Sequence, residues 1–153
     1  MIKLLLTPFW VFLFIVSANA QIYKKADSLY YDNKDNLYTG TYTEFFPNGN
    51  NRIVLSLKNG VKDGITYIYF DNKQLKEQQS FKNGKPDGEW LTFNIKGDTT
   101  AIAHYLVGKK DGEWKVWDEN HTLRFKMYYS KDKKTGNWEM YDANGKLISQ
   151  KEY

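Results

Sequence analysis

The sequence predicts an all-β protein, an elongated antiparallel β-meander of about five hairpin repeats. Three observations lead to this fold class. Glycines recur at one interval, aromatic residues recur at fixed distances from them, and turn-forming residues separate short strand-like segments. The interval is 24 residues, and the glycines are Gly40, Gly64, Gly88, Gly112 and Gly136. Self-similarity at a single period is the signature of a repeat architecture.

Three further positions are aromatic in all or most units. The ladder column lies two residues after the glycine and comprises Tyr42, Thr66, Trp90, Trp114 and Trp138. The outer column lies five residues after it and comprises Phe45, Tyr69, Phe93, Trp117 and Tyr141. The closing column lies seventeen residues after it and comprises Leu57, Phe81, Tyr105, Tyr129 and Tyr153. Aromatic and β-branched residues favour strands, where they pair across neighbouring chains.

Each unit is predicted to be one β-hairpin. A first strand of about six residues starts at the glycine, and a first turn such as Pro47-Asn48-Gly49-Asn50 follows. The second strand runs to the closing column, and a second turn such as Lys82-Asn83-Gly84 completes the unit. Asn-Gly between apolar residues is a strong hairpin signal. The opening glycine suits a junction that needs positive φ or close backbone approach.

The residue before each opening glycine is a short oxygen acceptor. It is Thr39, Asp63, Asp87, Asp111 or Thr135. Such side chains satisfy backbone amides in tight turns. We therefore expect each of these side chains to accept hydrogen bonds from the backbone amides of the tight turn that precedes it.

Residues 1–20 are predicted to be a signal peptide. Lys3 precedes an apolar run from Leu4 to Val16, and Ala18-Asn19-Ala20 supplies small residues at a cleavage site. Cleavage after Ala20 implies export to the periplasm or the extracellular space. An uncleaved anchor is the alternative, although a bilayer span needs about 20 apolar residues. Residues 21–37 form a lead-in with one expected strand at Ser28-Leu29-Tyr30-Tyr31, and residues 38–153 form the repeat domain.

The composition excludes several classes of function. There is no Cys for a disulfide or a thiol nucleophile, and the 22 basic against 18 acidic residues give too weak an excess to indicate nucleic acid. His104 and His121 belong to no repeating column, and no phosphate loop or metal spacing is present. The periodic aspartates offer too few oxygen ligands for calcium. We therefore expect no enzyme, no cofactor and no metal site.

Two surfaces are candidates for binding. The ladder and outer columns lie an odd number of residues apart, so a regular strand presents them on opposite faces. The ladder column is expected to supply core packing. An exposed outer column, Phe45, Tyr69, Phe93, Trp117 and Tyr141, would be a surface for a protein, peptide or glycan, or for self-association.

The second candidate is a lysine edge along the second turns. It comprises Lys62, Lys85, Lys109, Lys110, Lys133 and Lys134. Stacked repeats would align these lysines for anionic lipid headgroups or other polyanions. The alternative is a solvated edge whose charges discourage aggregation, which the neighbouring aspartates favour.

The segment from Phe81 to Phe93, Phe-Lys-Asn-Gly-Lys-Pro-Asp-Gly-Glu-Trp-Leu-Thr-Phe, resembles a MORN repeat, and more closely its bacterial variant. The resemblance extends over roughly Tyr38 to Tyr153. Tandem repeat proteins of this kind include the YwqK-like group, which carries an antitoxin label. Thr66 departs from the aromatic column, and the closure from Lys131 to Thr135 lacks its glycine. The resemblance implies an elongated single sheet. An intracellular antitoxin role conflicts with the predicted signal peptide, so that label is not transferred.

Together these patterns predict an exported, non-catalytic MORN-like repeat protein. Its partner is expected to be another protein or an envelope component. There are two alternatives. The protein could bind anionic membrane peripherally through the lysine edge, or it could be a purely structural spacer.

Overall fold

The computed structural model describes residues 21–153, and this part of the chain consists of strands and turns without a helix. The signal peptide predicted over residues 1–20 lies outside the described residues. In chain order the strands are β1 Tyr23–Lys24, β2 Tyr30–Tyr31, β3 Gly40–Phe45, β4 Asn51–Lys58, β5 Val61–Tyr69, β6 Leu75–Lys82, β7 Lys85–Phe93, β8 Thr99–Leu106, β9 Lys109–Lys110, β10 Gly112–Trp117, β11 Leu123–Ser130, β12 Lys133–Tyr141 and β13 Leu147–Glu152.

Strands β3 to β13 form one antiparallel sheet in which neighbours in sequence are neighbours in space. β9 and β10 are two parts of one interrupted strand, and both pair with β8. The predicted all-β meander of five hairpins is confirmed. We number the hairpins as units 1 to 5 by their opening glycines. The lead-in contains the expected strand as β2, and also β1, which pairs with it.

Every boundary between units contains an irregularity at the opening glycine. Leu55 pairs with Thr66 whereas Leu57 pairs with Lys62, so β5 carries two extra residues beside Gly64. Gly64 has φ +104°, and a Cβ there would lie 3.1 Å from the Cβ of Ser56. Positive φ and close approach therefore both require glycine, as the sequence predicted. One prediction was wrong: the strand starts at Val61, before the glycine, because pairing resumes ahead of the bulge.

A second bulge lies near the first turn of each unit. The partner of Ile68 is Glu77 and that of Tyr69 is Leu75, which leaves Lys76 unpaired. The equivalent extra residues in the other units are Arg52, Thr100, Arg124 and Ile148. The extra residue always lies on the second strand. The first strand therefore stays regular between the ladder and outer columns, and strand alternation places those columns on opposite faces.

The second turns join each unit to the one before it. Asn83 and Gly84 both have positive φ, 49° and 78°, as a type I′ turn requires. The amide of Asn83 donates to Asp63 at 2.9 Å, and that of Gly84 donates to the carbonyl of Lys62 at 2.8 Å. The same pair of bonds recurs at the turns that begin at Asn59, Val107 and Lys131. The acceptor column thus binds the turn of the following unit.

The sheet is a single layer with a very small core. Within residues 21–153 the buried hydrophobic residues are Tyr30, Leu55 and Leu57, and Thr66, which pairs with Leu55, is buried as well. The lead-in supplies Tyr30, whose ring lies 5.2 Å from that of Tyr42. The lead-in therefore covers the first unit, as a capping element does in other repeat arrays.

Candidate interaction surfaces

One face of the sheet carries a continuous row of aromatic rings, which we call the aromatic ladder. Its rings belong alternately to the closing column and the ladder column, and neighbouring centroids are 4.7 to 5.3 Å apart. The members of the row are Phe81, Trp90, Tyr105, Trp114, Tyr129, Trp138 and Tyr153. The rings meet at interplanar angles of 48° to 65°, a tilted or edge-to-face geometry that favours mutual packing. The expected packing role of the ladder column fits this geometry.

The tryptophans of the ladder also satisfy backbone groups beside the glycine bulges. Trp90 donates from its indole nitrogen to the carbonyl of Ser80 at 2.9 Å. Trp114 and Trp138 make the same bond to His104 and Tyr128. Thr66 replaces tryptophan in unit 2, and its buried hydroxyl has no hydrogen-bond partner within residues 21–153.

The six residues of the lysine edge divide between two columns, contrary to the prediction of equivalent positions in the second turns. Lys62, Lys110 and Lys134 lie two residues before the opening glycine, in strands that pair with the closing column. The other three, Lys85, Lys109 and Lys133, lie one residue earlier and are exposed. Side chains alternate along a strand, so the two sets point to opposite faces. The early strand start moves these lysines out of the turns.

The first set of lysines covers the aromatic ladder. Lys110 Nζ lies 4.8 Å from the ring centroid of Trp114 and 5.0 Å from that of Tyr129. Lys134 Nζ lies 4.2 Å from Trp138, and Lys62 Nζ lies 4.5 Å from Phe81. These are cation–π contacts. Burial lowers the pKa of Lys62, and the charge of Lys24 lowers it further.

The outer column lies along the opposite face. Phe45 is 60% exposed, and the other four residues are half-buried. Tyr69 lies 6.4 Å from Tyr67, and Trp117 stacks on His121 at 6.1 Å and 10°. The column therefore forms a row of rings that nothing within residues 21–153 covers as a second layer.

The rest of this outer face changes character along the array. One cross-strand row begins with Thr43, Val54, Tyr67, Gln78, Leu91 and Ile102 and continues with Lys115, Lys126, Glu139 and Gln150. Its first half is mainly apolar and its second half is mainly charged. The row consists of two columns that each recur every 24 residues and that the pairing register brings side by side. Sequence reasoning missed the change because it followed only columns whose residue type stays nearly constant.

A polar network centred on Glu113 occupies the charged half. Its carboxylate pairs with Lys115, lies 3.9 Å from Lys126 and accepts a hydrogen bond from the Tyr128 hydroxyl at 2.8 Å. Burial by itself raises the pKa of Glu113, but the bonds from Lys115 and Tyr128 outweigh it and leave the pKa lowered. His104 lies at the border of this network, with Nδ1 2.6 Å from the carbonyl of Glu113.

Residues 21–153 contain no group of three His, Asp or Glu side chains that could hold a metal ion. In the same residues no helix has the length and apolar character of a membrane span. His121 is engaged with Trp117, and His104 lies in another unit. The candidate sites in the described residues are therefore the extended surfaces of the sheet, the outer column and the lysine edge.

The comparisons with known proteins agree with the repeat geometry. Three segments match the MORN repeat variant. They are residues 62–83, 110–131 and 134–153, and each starts two residues before an opening glycine. These MORN-like segments correspond to units 2, 4 and 5, and units 1 and 3 share their hairpin and bulge geometry. No curated protein matches the chain.

Proposed function

We propose that this protein is an exported, non-catalytic interaction module that binds another protein or an envelope component. The observation that carries the proposal is the open outer face, where the outer column lies uncovered on a single-layer sheet. Such a face buries its rings only when a partner packs on it. The match to the MORN repeat variant supports an interaction role, since a single-layer array of these hairpins exposes both faces of its sheet.

A large partner fits this surface better than a small molecule does. Small-molecule sites are enclosed clefts that bury most of the ligand. The depression beside Tyr69 is bordered by the turn residues Gly49, Asn50 and Lys73 and is wide open. A flat, extended face with ring anchors is typical of protein interfaces, where aromatic residues contribute much of the affinity.

The test is a pull-down from envelope extract with the tagged protein, at low and high salt. A partner retained at high salt and lost with Trp117→Ala would support the proposal. Thr92→Gln, on the opposite face, is the matched control and should leave that partner bound. A partner set unchanged by Trp117→Ala and Phe45→Ala together would contradict a role for the outer column.

Export is tested separately by sequencing the N-terminus of the protein recovered from outside the cytoplasm. Cleavage after Ala20 gives an N-terminus at Gln21. Retention of the full chain in the cytoplasm would contradict this part of the proposal.

Peripheral binding to anionic membrane is the second candidate. The observation in its favour is the exposed set Lys85, Lys109 and Lys133, which recurs at one position in three successive units. Vesicles with anionic phospholipid should then bind the protein at low salt and release it at high salt. Neutralising these three lysines should abolish the binding, whereas Trp117→Ala should not. If neither partner nor vesicle binds, the structural spacer is favoured.

A further inference from the structure

An apolar strip crosses the aromatic-ladder face in units 4 and 5. It comprises Val116, Phe125, Met127 and Met140. Val116 pairs with Phe125, and Phe125 pairs with Met140 across the next strand boundary. Phe125 is 37% exposed and Met140 is 40% exposed. A depression of about 160 Å³ opens among Phe125, Met127 and Met140 and has room for an apolar side chain.

The fold does not require this strip to be apolar. In the earlier units the same cross-strand row is mixed. Glu44 and Thr92 occupy the positions of Val116 and Met140, and Glu77 occupies that of Phe125, whereas Ile53, Ile68 and Ala101 are its apolar members. These units form the same hairpins, so polar residues satisfy the sheet at these positions. The apolar side chains in units 4 and 5 therefore need another reason, and methionine is a residue type that adapts to partner surfaces.

The charges around the strip are mainly positive. Lys110, Lys134 and Lys151 lie over the rings that border it, and within residues 21–153 none of them forms an ion pair. Glu139 also borders the depression, but its carboxylate accepts a hydrogen bond from Tyr141 of the outer column. The strip thus combines exposed apolar anchors with unpaired lysines.

We propose that this strip binds an acidic amphipathic helix of a partner protein. The inference rests on the proposed role in protein binding but uses the opposite face. β11 and β12 are hydrogen-bonded on both sides, so an extended peptide lying over them would find no free backbone groups. A helix satisfies its own backbone and presents an apolar stripe with charged flanks. The four strands from β10 to β13 span about 14 Å, the length of about 10 helical residues.

The test uses two synthetic helix-forming peptides with the same leucine face, one with glutamate and the other with lysine on the polar flanks. Binding to the purified full chain is measured by fluorescence anisotropy. The glutamate peptide should bind at least about 10-fold more tightly than the lysine peptide, a difference of about 1.4 kcal/mol. Met140→Gln and Lys151→Glu should each weaken it by about 10-fold.

Lys115→Glu is the matched control, since Lys115 lies on the outer face, and it should change the affinity by less than about threefold. Equal binding of the two peptides, or equal loss with Lys115→Glu, would overturn the inference. So would tighter binding to anionic vesicles than to the peptide, with the same loss on Met140→Gln. A pull-down partner that depends on Trp117 but not on Met140 would preserve the proposed function while this inference failed.

Discussion

Backbone conformation at single residues sets a measurable part of the stability of this protein. Val107 occupies the first central position of a type I′ turn at φ +49°, where units 1 and 2 have asparagine. A β-branched residue is strained at positive φ, by about 1 to 3 kcal/mol. Val107→Asn should therefore raise the free energy of unfolding by about 1 kcal/mol, measured by urea denaturation. The reciprocal variant Asn83→Val should lower it by a similar amount, and an unchanged midpoint in both would contradict this reading.

Thr66 offers a second test at the residue scale. Its hydroxyl is buried without a partner within the described residues, whereas the tryptophans at equivalent positions donate to a carbonyl. Thr66→Val keeps the shape and removes the unpaired group. We expect it to stabilise the fold by about 1 kcal/mol in urea denaturation. Thr92→Val, at a half-buried position of the same face, should have a smaller effect, and destabilisation by Thr66→Val would show that the hydroxyl has a partner in solution.

At the scale of the hairpin, the indole bonds link each unit to its predecessor. Trp114→Phe keeps a ring between Tyr105 and Tyr129 but removes the indole donor from the carbonyl of His104, which then accepts only from the amide of Asp111. The loss should be about 1 to 2 kcal/mol of unfolding free energy. Trp117→Phe makes the same substitution in the outer column, where the indole donates no hydrogen bond within residues 21–153, and should cost less than about 0.5 kcal/mol. Equal losses would exclude the indole bond as the cause.

Sequence reasoning predicted the elements well because each is encoded locally. Asn83-Gly84 specifies its turn, and the glycine period specifies the unit. The bonds between units were predicted only in part, because the partner of Asp63 lies 20 residues ahead in the next turn. The division of the lysine edge was missed because it follows from a strand start at Val61 that no local residue type announces.

The apolar strip and the Glu113 network were also missed, for a different reason. Both depend on which residues pair across strands, and the bulge at each second strand shifts that register by one residue. Register comes from the assembled sheet, so a period of 24 residues cannot reveal it.

For the whole molecule, the acid response should reflect carboxylates distributed along the array. Backbone amides of Asn36 and Thr122 lower the pKa values of Asp32 and Asp118, respectively, and the pKa of Glu113 is lowered as well. A carboxyl with a lowered folded-state pKa contributes stability above its unfolded pKa and loses it as the pH falls through the folded value. The urea midpoint should therefore be steady from about pH 7 to 5 and fall below about pH 4.

Asp118→Asn keeps an oxygen acceptor for the turn but cannot titrate, so part of the acid loss should disappear in that variant. Glu119→Gln is the control, because Glu119 is an exposed neighbour without a hydrogen bond in the described residues. A midpoint at pH 3 equal to that at pH 7 would contradict the expected response.

The uniform boundary between units has a consequence for how this protein can change size. Every junction uses the same glycine bulge and the same pair of turn hydrogen bonds, and each hairpin contacts only its neighbours. Insertion or removal of one 24-residue module would therefore alter the length of the molecule by two strand spacings, about 10 Å, and leave its cross-section intact. The number of copies of this module would therefore set the distance between the two ends of the sheet, and with it the distance between partners bound at those ends.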